Sequence, residues 1–101
     1  MGYTMRLMLK FTIPVDKGNQ TAKDGTLGAA IDALIEQTNP EAAYFTLDGG
    51  ERAGMIFFEV DDQARLTEFN EPFFAAVDAA IDITPVLNLD DLRRGLPKAS
   101  S

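Results

Sequence analysis

Two hydrophobic periodicities alternate along this chain, and their order restricts the fold more than any other feature. From Met5 to Ile13 apolar residues occupy every second position, which predicts a strand with two different faces that ends before Pro14. From Leu27 to Ile35 apolar residues recur at steps of three and four, which predicts a helix with one apolar stripe. Asn39-Pro40 is expected to end that helix.

The start of the first helix has two interpretations. Asp24 or Thr26 can cap it, and the polar segment from Val15 to Gly25 is then a loop. Alternatively, the helix begins as early as Asn19 and tolerates Gly25 and Gly28 within it.

The middle of the chain predicts a β-hairpin. The segments from Ala42 to Leu47 and from Ala53 to Val60 are rich in strand-forming residues. Asp48-Gly49-Gly50-Glu51 lies between them, and glycine accepts the positive φ that such tight turns require.

The second half of the chain repeats the order of helix and strand. Asp61-Asp62 is expected to cap a helix whose apolar stripe runs from Leu66 to Val77. Pro72 lies inside this stripe and predicts a kink or a restart. The segment from Ala80 to Leu87 predicts a fourth strand, and Pro85 within it favours an edge position or a bulge.

A short final helical turn completes the pattern. Asn88 or Asp90 can cap a turn from Leu92 to Arg94, with Gly95 as its C-cap. The order is therefore β-α-β-β-α-β, which predicts a ferredoxin-like α+β domain with an antiparallel sheet of strand order 4-1-3-2 and two helices on one face. We expect one domain over residues 1–101, with flexible ends at 1–4 and 97–101.

The sheet face without helices is predicted to be mixed in character. The helix side is expected to carry Leu7, Leu9, Phe11, Ala43, Phe45, Leu47, Ile56, Phe58, Val60, Ile81 and Ile83. The opposite side is expected to carry Arg6, Met8, Lys10, Thr12, Tyr44, Thr46, Met55, Phe57, Glu59, Asp82, Thr84 and Val86. Because this second set is too apolar for solvent and too charged for a core, it predicts packing against a second copy of the chain.

The predicted topology and the mixed free face resemble the dimeric α/β-barrel superfamily. The segments Pro40–Thr46 and Glu71–Phe74 are similar to those of its small, uncharacterised bacterial members. The superfamily includes muconolactone isomerases and antibiotic-biosynthesis-type monooxygenases. Because its members are dimeric, the resemblance implies a homodimer joined through the helix-free sheet face. No catalytic motif matches, and the fold alone does not assign an activity.

Composition excludes several classes of function. The chain has no cysteine and no histidine, which excludes disulfides, thiol catalysis, Ser-His-Asp triads, the usual zinc sites and histidine-ligated haem. The acidic pairs Asp61-Asp62 and Asp90-Asp91 lack the spacing of EF-hand calcium ligands. We therefore expect no metal and no cofactor. A formal charge of −7 disfavours nucleic acid. No signal-peptide core and no apolar run near the roughly 20 residues of a membrane helix is present, so we expect a cytoplasmic protein.

The candidate site residues are those polar side chains that the free face brings together. They are Arg6, Lys10, Tyr44, Glu59 and Asp82. In one interpretation Arg6 or Lys10 binds a small organic anion between the sheet and a partner, with Tyr44 as a hydrogen-bond donor. Glu59 or Asp82 would then be the base or acid. In the other, these charges pair with one another in an interface. Two functions follow: a dimer that binds a small molecule, or a cofactor-independent isomerase, decarboxylase or monooxygenase-like enzyme acting on a small organic acid.

Overall fold

A computed structural model describes residues 4–97 of the chain and contains eight helices and strands within them. In chain order they are β1 (Met5–Ile13), α1 (Val15–Asp24), α2 (Thr26–Thr38), β2 (Ala42–Asp48), β3 (Glu51–Val60), α3 (Arg65–Val77), β4 (Ala80–Pro85) and α4 (Leu89–Gly95). The predicted flexible ends lie outside the described residues except for Thr4 and Pro97.

The four strands form one antiparallel sheet in the order β2-β3-β1-β4. This order is the predicted 4-1-3-2 arrangement, so the ferredoxin-like fold is confirmed. Both β2 and β4 are edge strands, and Pro85 ends β4 at an edge, where a missing N–H donor is tolerated. The hairpin between β2 and β3 turns at Gly49 and Gly50, which both have positive φ.

The core lies between the central strands and the helices. It consists of Leu7, Leu9, Phe11, Ile13, Leu34, Ile56, Phe58, Val60, Phe69, Phe73, Val77 and Ala79. Two edge-to-face aromatic pairs join the sheet to α3: Phe11 with Phe73, and Phe58 with Phe69. Phe45 and Leu47 were expected on the covered side, yet they are 54% and 71% exposed. Both lie on the edge strand β2, beyond the central strands that the core occupies.

The predicted loop from Val15 to Gly25 is wrong, because α1 occupies Val15–Asp24. The alternative of a helix that begins at Asn19 is correct only in making Asn19–Asp24 helical, since the helix starts earlier and Gly25 separates it from α2. Asp16 in its first turn and Lys23 in its last turn complement the helix dipole. Gly18 is buried at a close contact between the helix and the sheet, where an added Cβ would lie 2.7 Å from the Arg52 guanidinium. Gly25, with a φ of 88°, separates α1 from α2.

Within residues 4–97 the structure has four helices, where two helices and a final helical turn were predicted. It differs from the prediction at the N-cap of α3, at Pro72 and at the C-cap of α4. Asp62 accepts a hydrogen bond from the Ala64 amide in the turn before α3, but it is not the helix cap. Pro72 lies on the exposed side inside an α3 that continues past it. Asn88 caps α4 through a reciprocal capping box with Asp91, and Leu96, not Gly95, is the C-cap.

No helix among residues 4–97 combines the length and the apolar character needed to cross a bilayer.

Gly54→Ala is expected to lower the free energy of unfolding by about 1–3 kcal/mol, the usual cost of overpacking a core. A Cβ at this position would lie 2.6 Å from the ring of Phe11 and 2.9 Å from that of Phe45. The control is Gly28→Ala on α2, where nothing lies within 4 Å and alanine should stabilise the helix by roughly 0.5–1 kcal/mol. Urea unfolding at pH 7 measures both, and equal effects would contradict the packing argument.

Candidate functional site

Three adjacent rows of side chains, each running across the strands, carry the charged and the large apolar groups of the helix-free face. The central row contains Ala42, Phe57, Met8 and Thr84. On one side, the Arg6 row pairs Arg6 with Glu59. On the other, the Lys10 row contains Tyr44, Met55, Lys10 and Asp82. Because side chains on one face repeat every two residues, neighbouring rows are about 7 Å apart.

The predicted site residues therefore separate into two groups. Arg6 and Glu59 are direct cross-strand partners, whereas Lys10, Tyr44 and Asp82 share the next charged row. The apolar side chains of Met8 and Phe57, both half-buried, lie between the groups. One compact cluster of all five side chains is not formed within a single chain.

Arg6 is surrounded by carboxylates. Its Nε donates to Glu41 Oε1 at 2.6 Å, and its Nη1 donates to Asp91 Oδ2 at 3.3 Å. Its Nη2 lies 3.4 Å from Glu59 Oε1. These contacts, with the Glu41 hydrogen bond as the largest, raise the pKa of Arg6 above its usual value. Three carboxylates thus more than neutralise this guanidinium.

Asp91 connects the end of the chain to this network. Its carboxylate accepts from the Asn88 backbone N–H and from Arg94, and it also contacts Arg6. The Asn88 hydrogen bond, followed by the two arginines, holds the pKa of Asp91 below its ordinary range. The capping box of α4 therefore also positions a carboxylate against the sheet.

Lys10 has a simpler environment than Arg6. Its Nζ lies 2.9 Å from Asp48 Oδ2 at the hairpin, and this hydrogen bond raises the pKa of Lys10. Asp82 is its cross-strand neighbour and adds a weaker attraction. Tyr44 lies in the same row and is 61% exposed, so its hydroxyl is accessible.

A cleft of about 620 Å³ opens at the end of the sheet next to the Arg6 row. Its lining is strongly polar and includes Arg6, Glu41, Glu59, Asp61 and Arg65. Arg65 donates to the Gln37 backbone oxygen at 3.0 Å, so it also supports the end of α2. With three carboxylates and two guanidinium groups, the cleft offers no excess of positive charge to an anion.

The residues that sequence reasoning missed are the distant partners of the two cations. Glu41 immediately precedes β2, Asp48 lies at the hairpin, and Asp91 belongs to α4. Only Asp91 had a local signal, because Asn88 three residues earlier matches a capping pattern. No sequence pattern around Glu41 indicates its role, because its partner Arg6 lies 35 positions away in the sequence.

Among the described residues, the charged side chains of the site form ion pairs with one another. Asp24 is a further group with a shifted pKa, lowered by hydrogen bonds from Thr26. All four resolved shifts, at Arg6, Lys10, Asp24 and Asp91, favour the charged form. General acids and bases work best with pKa values near the working pH, so these shifts do not prepare proton transfer. Within residues 4–97, no group of three acidic side chains is arranged to hold a metal ion.

Arg6→Met is expected to lower the midpoint of thermal unfolding, since Glu41, Glu59 and Asp91 would face one another without their shared cation. Adding Glu59→Gln should restore part of the loss by removing one of the three negative charges. Thermal melts of the single and double variants measure this. An Arg6→Met protein as stable as the wild type would contradict a structural role for the network.

The lowered pKa of Asp91 predicts a pH dependence with a definite sign. A depressed carboxyl pKa stabilises the folded form above the unfolded value of about 3.9, and this contribution is lost as the pH falls through the folded pKa. A carbon-detected NMR titration should give Asp91 a pKa below the unfolded value of about 3.9. An ordinary pKa would contradict the contacts of its carboxylate. Asp91→Asn, which keeps an acceptor for the helix cap, should remove this part of the acid sensitivity of α4.

Comparison with solved structures finds proteins of similar topology. They include a dimeric ferredoxin-like protein from an uncultured marine organism, at 14% identity over 85% of this chain and 95% of that chain, with a TM-score of 0.40. MupZ from Pseudomonas fluorescens has 15% identity over 93% and 75% of the two chains, with a TM-score of 0.44. The designed protein Foldit4 has 7% identity over 85% and 99%, with a TM-score of 0.47. These weak likenesses carry no argument about assembly or activity.

Comparison with protein families is more decisive. Curated protein sequences give no match. A family model described as "Domain of unknown function (DUF3303)" matches residues 5–100, which is nearly the whole sequence. This result agrees with the resemblance to small uncharacterised proteins that the sequence suggested. The chain belongs to the DUF3303 family of domains of unknown function.

Proposed function

We propose that the protein is a homodimer joined through the helix-free sheet faces and that it binds a small organic anion between its subunits. The observation that carries this proposal is the central row. Phe57 and Met8 form an apolar strip that no helix covers, and charged rows border it on both sides. Such an arrangement is typical of an interface whose apolar centre excludes water and whose rim is polar.

Lys10 is a better anion ligand than Arg6 in this arrangement. Arg6 contacts three carboxylates, one of which comes from the capping box of α4. Lys10 has one close carboxylate, Asp48, on the hairpin. A ligand carboxylate can replace Asp48 at the Lys10 ammonium while the Tyr44 hydroxyl donates a second hydrogen bond.

The chemistry of the face specifies the kind of anion. A carboxylate at Lys10 would place the rest of the molecule over Met55 in the same row and Phe57 in the central row. Both side chains are half-buried and apolar. The ligand class that fits is a small carboxylic acid with an apolar body, aromatic or aliphatic.

Titration with sodium benzoate and sodium hexanoate tests this proposal. Backbone NMR shifts should move along the Lys10 row and the central row, and sedimentation equilibrium should show a dimer at micromolar concentration. Lys10→Met should weaken binding at least about tenfold, since hydrogen bonds to charged groups contribute roughly 1.5–3 kcal/mol.

The matched control is Lys17→Met, which removes the same charge from α1. It should leave the affinity unchanged, and equal losses in the two variants would indicate nonspecific attraction. A wild-type monomer at micromolar concentration would contradict the proposed dimer. A dimer with no shift on either titration would contradict the ligand while leaving the dimer intact.

A further inference from the structure

A small cavity lies on the helix side of the sheet, between the edge strand β2 and helix α2. Its volume is about 190 Å³, and its lining is mostly apolar. Phe11 and Phe45 line it from the sheet, where they flank Gly54 in one cross-strand row, with ring centroids 6.4 Å apart and ring planes tilted by 59°. Leu27 and Ile31, one turn apart, line it from α2. The cavity is therefore an apolar space on the opposite side of the sheet from the helix-free face.

The size and position of the cavity suit a small ligand. Phe45 is 54% exposed on an edge strand, so a molecule can enter from solvent on that side. Apolar cavities of about 150 Å³ lined by leucine, isoleucine and phenylalanine bind benzene. The space beside Phe45 therefore has room for one aromatic ring.

Arg52 lines the same cavity and adds one positive charge to it. It is half-buried in the cross-strand row next to that of Phe11 and Phe45, and such rows are about 7 Å apart. Its Nη1 donates to Asn19 Oδ1 at 3.0 Å. Gly18 leaves space for the guanidinium, because an added Cβ would lie 2.7 Å from Nη1. Helix α1 therefore positions the Arg52 head group through Asn19 and Gly18.

Arg52 differs from Arg6 in having no carboxylate partner among the described residues. Arg6 contacts three carboxylates, whereas no salt bridge within residues 4–97 includes Arg52. A guanidinium has five N–H donors, and the neutral Asn19 side chain accepts from one of its nitrogens. The adjacent Glu51 belongs to the opposite face of β3, since successive side chains of a strand alternate. The charge of Arg52 is therefore available to an anion.

We propose that this cavity binds a small aromatic monocarboxylate, with its ring against Phe11 and Phe45 and its carboxylate at the Arg52 guanidinium. The planar fork of a guanidinium matches a carboxylate, and aromatic rings pack well against other rings in tilted arrangements. One cation beside room for one ring specifies one carboxylate on one ring. The site uses neither the helix-free face nor a second copy of the chain, so it goes beyond the binding proposed at Lys10 and is independent of it.

Sodium benzoate and benzamide test the site in the wild-type protein, because benzamide keeps the ring and lacks the charge. Benzoate should cause saturable shifts in the NMR signals of Leu27 and Ile31 and of the Arg52 side-chain Nε–H. Benzamide should bind at least about tenfold more weakly, since hydrogen bonds between charged groups are stronger than those between neutral groups. An absence of shifts on α2, or equal affinities for the two compounds, would overturn the proposal.

The same titration separates this site from the one proposed at Lys10. Leu27 and Ile31 pack on the core side of the sheet, away from the Lys10 row, so their signals follow the cavity alone. Shifts on α2 without shifts along the Lys10 row support the cavity and contradict the other site. Shifts confined to the Lys10 row overturn the cavity and leave the proposed function standing.

Arg52→Met should weaken benzoate binding in the cavity at least about tenfold, because it keeps a long side chain and removes the charge. The matched control is Arg93→Met, which removes the same charge from an exposed position on α4. Its affinity for benzoate should equal that of the wild type. Equal losses in the two variants would indicate nonspecific attraction and overturn the assignment of Arg52.

Ile31→Phe tests the cavity while Arg52 stays in place. The larger side chain should occupy the space of the ligand ring and abolish the benzoate shift at the Arg52 Nε–H. The matched control is Ile35→Phe, four residues further along α2 and outside the lining, which should bind benzoate like the wild type. Circular dichroism checks that both variants fold. Unchanged benzoate binding by a folded Ile31→Phe protein would overturn the proposed site.

Discussion

Phe58→Ala is expected to reduce the free energy of unfolding by about 3–5 kcal/mol, the range for truncating a buried phenylalanine. Phe58 is 1% exposed on the central strand β3, and its ring centroid lies 5.4 Å from that of Phe69. The substitution removes this aromatic pair and leaves a cavity between the sheet and α3. Domains of this size have total stabilities of about 5–15 kcal/mol, so the variant should be close to unfolding at 37 °C.

Phe57→Ala provides the matched control, because it makes the same chemical change one residue away on the other face. Phe57 is half-buried in a single chain, so truncation should cost less than at Phe58 when the protein is dilute. If a second copy covers Phe57, the cost should increase with protein concentration, since dimerisation adds to stability by mass action. Urea unfolding at two concentrations measures both effects. A larger loss at position 57 in dilute protein would contradict the assignment of the core face.

Much of the fold was predictable because apolar and polar residues alternate along β1 and β3, and this alternation indicates which side of each strand is buried. Leu7, Leu9 and Phe11 were expected on the helix side, and all three are buried there. The turn at Asp48–Glu51 fixes how β2 pairs with β3, and the register between them follows from it. Topological rules for split βαβ units then leave few arrangements, of which the observed one was predicted.

Helix α1 was missed for a physical reason. It buries only Gly18 and Thr21, so it has no apolar stripe to detect. Its stability comes from contacts that depend on the folded chain, such as the packing of Gly18 against Ile13 and Arg52. The signals that remained, Asp16 near one end and Lys23 near the other, are weak compared with the turn-forming composition of the segment.

The candidate site was predictable only where partners are strand neighbours. Alternation placed Arg6 and Glu59 on the same face, and pairing of β1 with β3 brings them opposite each other. The strongest partner of Arg6, Glu41, lies before an edge strand, and Asp91 lies on a helix after the last strand. Neither position follows from periodicity, because both depend on how segments outside the strands return to the sheet.

Phe57→Glu is expected to separate the proposed dimer while the fold remains. In an isologous interface each substitution occurs twice, so two phenylalanine side chains are lost at once. Each buried phenylalanine is worth roughly 1.5–3 kcal/mol, and together they correspond to at least about a 100-fold rise in the dissociation constant. The new carboxylate would also lie two residues from Glu59 on the same face, where like charges repel. Sedimentation equilibrium over a range of concentrations measures the constant.

Phe57→Leu is the control that distinguishes the dimer from the fold. It keeps an apolar side chain in the central row and should retain most of the association, whereas a charge in the same place should abolish it. Circular dichroism and a cooperative urea transition would show that the Phe57→Glu chain still folds, as expected from the core of Leu9, Ile56 and Phe58 on the opposite face. If Phe57→Glu stays folded and dimeric with an unchanged constant, the helix-free face is not the interface. The other outcome is that Phe57→Glu fails to fold while Phe57→Leu folds and dimerises. The central row would then be covered even in dilute protein, because a charge prevents folding only at a buried position.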